Sequence, residues 1–142
     1  MFLRLKERFV GFIIVFLSSS VIFAGYNIEP SASGIGTHRQ MGLPPCGWMA
    51  SSGMPCPSCG MTTAVSYSVR GKIVSAFVTQ PAGAFFGLGV GIFGIFGICM
   101  LITGSSFVRL RSLFYTSYIV WWTIALLVVS WMYKIFSVKG FI

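Results

Sequence analysis

His38, Cys46, Cys56 and Cys59 are the residues of this chain whose types and spacing could do chemistry. Cys56-Pro57-Ser58-Cys59-Gly60 is a knuckle, a turn that aims two thiols at one place. Pro57 fixes one backbone dihedral, and Gly60 can take the positive φ that closes such a turn. Backbone N–H groups then point at the sulfurs, which favours thiolates. Two thiolates at this spacing can share one tetrahedral ion, as in zinc ribbons and rubredoxin-like iron sites. Cys46 and His38 are the other candidate ligands in the same loop. Together the four make a Cys₃His set whose soft thiolates and borderline imidazole suit zinc, with iron as the alternative metal.

Two rival chemistries stay open. In an oxidising compartment Cys46 pairs with Cys56 or Cys59 in a disulfide, and one thiol is left over. Alternatively, Cys56 and Cys59 form a thiol–disulfide redox pair, for which C-x-x-C is the usual arrangement. No thioredoxin-like strand–helix pattern surrounds the motif. Haem attachment is excluded, because Gly60 stands where C-x-x-C-H needs histidine.

The rest of the composition narrows the function further. Of 142 residues, 56% are hydrophobic and 8% charged, where a soluble globule carries about 25% charged residues. Mean hydropathy is +0.87. The chain therefore belongs in a lipid bilayer. Its formal charge of +8 comes from Lys and Arg scattered in small groups beside apolar runs. That is the pattern of positive-inside flanks, so nucleic acid is not an expected partner. The acids are Glu7 and Glu29 alone, there is no aspartate, and His38 is the one histidine. Paired carboxylates, a Ser-His-Asp triad and a carboxylate-held magnesium site are thus excluded, and an enzyme is the less expected outcome.

The elements that must position the thiols read as an all-α integral membrane protein of one domain, residues 1–142. Residues 1–26 give a basic start and a first apolar span, read as an uncleaved anchor rather than a signal peptide, with Ser18, Ser19 and Ser20 mid-span. Residues 27–60 are a Gly/Pro-rich extramembrane loop that holds three of the four cysteines. Such a long loop needs function or cross-linking to be ordered, and a metal or a disulfide is expected to supply the order. Residues 61–80 form two short amphipathic helices, read as an interfacial hairpin. Met61, Ala64, Val65 and Val69 make its apolar stripe, with Thr62, Thr63, Ser66 and Arg70 turned away from it. Residues 82–103 are the second span. Gly83, Gly87 and Gly91 recur every fourth residue and let another helix approach closely, either within the chain or from a partner membrane subunit. Cys99, deep in this span, reads as an inert buried thiol. After a loop at 104–113 carrying Arg109 and Arg111, residues 114–133 form the third span. Tyr115 and Tyr118 mark one end, and Trp131, Tyr133 and Lys134 the other. None of the three spans holds an ionisable side chain, which argues against a proton relay or ion-coupled transport.

Lys and Arg are densest in the N-terminus and the 104–113 loop. This predicts the N-terminus inside, with the cysteine loop and C-terminus outside.

At the knuckle the chain resembles the domain-of-unknown-function 2752 family, small bacterial membrane proteins. The residues that carry the likeness are Gly42-Leu43-Pro44-Pro45-Cys46, Cys56-Pro57-Ser58-Cys59-Gly60-Met61-Thr62-Thr63-Ala64, Arg70-Gly71 and Gln80-Pro81. They span about residues 38–85. Many members carry arginine at the position of Thr63. The resemblance implies a bacterial inner membrane and marks the knuckle as the shared feature; it carries no activity. The expected function is an accessory or assembly subunit of a larger membrane complex, with a Cys/His loop site for a structural metal or a disulfide. The alternative is an envelope thiol oxidoreductase using Cys56 and Cys59.

Overall fold

A computed structural model describes residues 2–104 and 117–138, with side chains for 5–104 and 119–138. The described chain is all helical, and three of its helices are long and apolar enough to cross a membrane. They are α1 (Phe2–Asn27), α5 (Pro81–Thr103) and α6 (Ser117–Val138). Between the first two lie a 3₁₀ turn (Thr37–Met41), α2 (Gly47–Ser52), α3 (Met61–Val69) and α4 (Ile73–Thr79). The loop expected over 27–60 thus contains two short helical pieces. The basic pair Arg109 and Arg111, the start of the third span at Phe114, and Lys139 lie outside the described residues.

α1 packs along α5 through small residues. A Cβ on Gly11 would lie 2.9 Å from the Gly97 carbonyl oxygen, and one on Gly97 would lie 2.9 Å from Val15 Cγ2. Ser18 is buried where a Cβ on Gly94 would meet its Cβ at 3.3 Å. Ser20 instead returns its hydroxyl to the Phe16 carbonyl at 2.8 Å, within its own helix.

Gly83 and Gly87 receive α3. A Cβ on Gly83 would lie 2.8 Å from Ala64 Cβ, and one on Gly87 would lie 2.7 Å from Ser68 Cβ. These two glycines are therefore used within the chain, while a Cβ on Gly91 would meet no other described element within 4 Å. The core where α3, α4 and α5 meet is small: Ala64, Ala76 and Ala84, flanked by Tyr67 and Phe77. The Phe77 ring meets Phe85 edge-on at 5.0 Å. Small side chains at the centre let three helices approach, as in membrane bundles generally.

Three readings from sequence change here. The polar side of α3 is not turned away: Thr63 and Ser66 are as completely buried as Ala64. Ser66 Oγ donates toward the Gly25 and Ile28 carbonyls, at 2.8 and 2.6 Å, where α1 ends. Arg70 reaches the same end, donating to the Ile28 and Tyr26 carbonyls at 2.8 and 2.6 Å and to Ser66 Oγ. A guanidinium on the last carbonyls of a helix satisfies acceptors that have no partner inside it and complements its dipole. Second, Cys99 is exposed on the surface of α5, not buried. Third, Lys134 is not a flanking residue in solvent. It lies inside the apolar helix α6 and is only 4% exposed.

Candidate metal centre

The knuckle closes as a tight turn in which Cys59 N–H donates to the Cys56 carbonyl at 3.0 Å and Met61 N–H to the Ser58 carbonyl at 3.1 Å. Gly60 sits at φ +89°, in the left-handed region where a side chain is strained. It also has no room for one, because a Cβ would lie 2.7 Å from the Gly34 carbonyl oxygen. α3 starts directly after it, at Met61. Cys56 N–H points at Cys59 Sγ at 3.3 Å, the amide-to-sulfur geometry expected of such a knuckle.

Cys46 comes from a different stretch, the residue before α2. Its sulfur joins the other two, so that the three Sγ atoms all lie within 4.8 Å of one another. Cys56 and Cys59 Sγ are 3.0 Å apart, and all four cysteines of the chain are free thiols. A zinc ion sits about 2.3 Å from each thiolate, which separates tetrahedral ligands by about 3.8 Å. Small side-chain rotations therefore let this triad take one ion. The three thiols line a cavity of about 310 Å³ together with Thr37, His38 and Met61. His38 is thus on the cavity wall, but its ring nitrogens are not among the ligand atoms gathered within 4.8 Å. A second cavity, of about 420 Å³, shares His38 and Cys46 and adds Met49.

The two knuckle thiols differ electrically. Burial raises the Cys56 thiol, but hydrogen bonds from Cys59 and Ser58 outweigh it and bring the pKa down to about 7. Burial drives Cys59 the other way, helped by Cys56 beside it, to about 12. Cys56 is the ready thiolate and Cys59 the held thiol.

A clamp beneath the knuckle was not foreseen from the sequence. Trp131 Nε1 donates to the Pro55 carbonyl at 2.9 Å, and Gln80 Nε2 to the Pro57 carbonyl at 2.8 Å. Lys134 Nζ donates to the Gly34 and Thr79 carbonyls at 3.2 and 3.1 Å. Ser130 Oγ accepts the N–H of Ala82 at 2.8 Å. One face of α6 therefore holds the loop, the knuckle and the start of α5 together. Its spacing, Ser130 and Lys134 at i and i+4, is a readable polar stripe in an apolar helix. Gln80 is fully buried, and its Oε1 has no hydrogen-bond partner among the described residues.

Further side chains fasten the loop upstream. Thr37 and Thr63 share a hydroxyl hydrogen bond at 2.7 Å, and Thr37 Oγ1 accepts Ser31 N–H at 3.0 Å. The Gln40 amide pairs with the backbone N–H and carbonyl of Glu29 at 3.1 and 2.7 Å. Beside the metal or disulfide expected to order residues 27–60, these hydrogen bonds also fasten that loop, the Thr37–Thr63 pair in a buried position and the Gln40–Glu29 pair at the surface.

No curated protein and no solved structure matches the chain. Residues 46–95, from the first cysteine of the triad to the middle of α5, match the family model described as protein of unknown function (DUF2752), the family that the knuckle residues resemble.

Proposed function

We propose that this chain is a small integral protein of the bacterial inner membrane that holds one thiophilic metal ion on its cysteine loop and serves as an accessory or assembly subunit of a larger membrane complex. The observation that carries the metal reading is the convergence of Cys46, Cys56 and Cys59, from two separate backbone segments, to within 4.8 Å. Zinc fits three thiolates once a fourth ligand closes its shell, and His38 on the cavity wall is the residue to supply it. In this reading the basic N-terminus lies inside and the cysteine loop outside. The accessory role is supported by the scarcity of catalytic groups and by Gly91, which faces no other described element and so leaves a second helix room for a close approach.

The deciding experiment is elemental analysis of the purified full chain combined with thiol alkylation before and after reduction. About one metal per chain with no disulfide supports the site. No metal and a Cys46 cross-link to Cys56 or Cys59 replaces it with a disulfide. Loss of metal in His38→Ala assigns the fourth ligand. Gentle solubilisation followed by native mass measurement tests the subunit role, which fails if the chain runs alone.

The contrast between Cys56 and Cys59 favours one second reading, an envelope thiol oxidoreductase. There the Cys56 thiolate attacks a substrate disulfide, forming a mixed disulfide and releasing one substrate thiolate. Cys59, losing its proton to solvent, then attacks Cys56 Sγ and releases the second substrate thiolate, leaving Cys56–Cys59 oxidised and the substrate reduced. Metal-free protein that reduces a model disulfide would establish this reading.

A further inference from the structure

We propose that the ion held by the triad is copper(I), gathered through a collar of methionine sulfurs; this rests on the metal reading above. Four of the seven methionines of the chain fall at Met41, Met49, Met54 and Met61, around the three loop cysteines. Met61 lines the cavity that holds all three thiols. Met49 lines the adjoining cavity, which shares Cys46 and His38 with the first. Met41 and Met54 are exposed on the same loop. The two cavities thus adjoin through Cys46 and His38, and each has one methionine in its wall, while two more methionines lie exposed on the same loop.

This donor set discriminates among metals. Thiolate and thioether together select soft ions, copper(I) foremost, whereas magnesium, calcium and manganese need hard oxygen ligands. The carboxylates of the chain are Glu7 and Glu29, and neither lines either cavity. A structural zinc site is closed by four protein ligands, but three sulfurs converge here and the imidazole stands apart. Copper(I) accepts two or three sulfur ligands without a fourth. It also moves between sulfurs by ligand exchange, so a thioether path into a thiolate site suits an ion that arrives and leaves. A buried zinc lock has no use for exposed methionines.

The test uses the full chain, purified in detergent, reduced and kept free of oxygen. Copper(I) is titrated in competition with a chromophoric copper(I) chelator, and zinc in competition with a zinc chelator. The same measurements are made on Cys56→Ser and on Met49→Leu with Met61→Leu, a swap that conserves volume. One copper(I) per chain is expected, lost in Cys56→Ser. The double methionine variant should bind copper(I) about tenfold more weakly and zinc within about twofold of the unaltered chain, since zinc draws little on thioethers. Unchanged copper(I) affinity in that variant overturns the proposal. Zinc held against equimolar copper(I) also overturns it, while leaving the triad as a metal site. Binding of neither ion removes the metal site itself.

Discussion

Replacing Gly60 with alanine tests whether tertiary contacts, and not turn geometry alone, hold the knuckle. Gly60 and Gly53 both adopt positive φ, +89° and +65°. At either position alanine incurs the left-handed penalty of about 1–2 kcal/mol. The surroundings separate them. A Cβ at Gly53 meets nothing within 4 Å among the described residues, so the backbone penalty is its whole cost. A Cβ at Gly60 would lie 2.7 Å from the Gly34 carbonyl oxygen, and the Lys134 amine is 3.2 Å away. Backbone on both sides must shift, and the carbonyl involved is the one Lys134 donates to at 3.2 Å. Losing a hydrogen bond to a charged group adds about 1.5–3 kcal/mol. Gly60→Ala should therefore cost about 2.5–5 kcal/mol. Equilibrium unfolding in mixed detergent, followed by tryptophan fluorescence, measures both variants. Equal costs for Gly60→Ala and Gly53→Ala would refute the claim that the knuckle is wedged between Gly34 and Lys134.

Arg70→Met should destabilise the chain by about 1.5–3 kcal/mol in the same unfolding assay, and Arg70→Lys should recover only part, because one ammonium cannot serve several carbonyls as a planar fork does. The thiol pair also sets a pH dependence. Cys56 is depressed from 9.0 to about 7, so its contribution is present above pH 9 and is lost as pH falls through about 7. Cys59 is raised from 9.0 to about 12, so its contribution is present below pH 9 and is lost as pH rises through about 12. Metal-free stability should thus peak near pH 9, and alkylation should reach half its maximal rate at Cys56 near pH 7 while Cys59 stays slow; equal rates at the two thiols would refute the contrast. Gly87→Leu should disrupt the α3–α5 contact and weaken folding, whereas Gly91→Leu should leave the isolated chain as stable as before and release only a partner helix, read by the mass of the native complex.

The amino-acid sequence alone determined the class of this protein. Three long apolar runs and a charge content of 8% mark an all-helical chain with three helices long and apolar enough to cross a membrane. The knuckle was equally legible, because proline and glycine act on the backbone locally: the positive φ at Gly60 and the amide aimed at Cys59 sulfur need no distant partner. What depends on distance was decided only by the tertiary structure. Cys46 joins Cys56 and Cys59, and His38 stands apart from them, because of how the 3₁₀ turn and α2 fold back, and no local pattern encodes that path. The glycine ridge of α5 reads as one surface, yet its members serve different neighbours: Gly83 and Gly87 take α3, Gly94 and Gly97 take α1, and Gly91 takes none of the described elements. Periodicity places residues on a face but does not say what covers it. The clamp of Gln80, Trp131 and Lys134 stayed hidden for the same reason. A lysine at the end of an apolar helix reads as a membrane flank; only its partners, the carbonyls of Gly34 and Thr79, contributed by residues 100 and 55 positions away, reveal it as the bolt beneath the site.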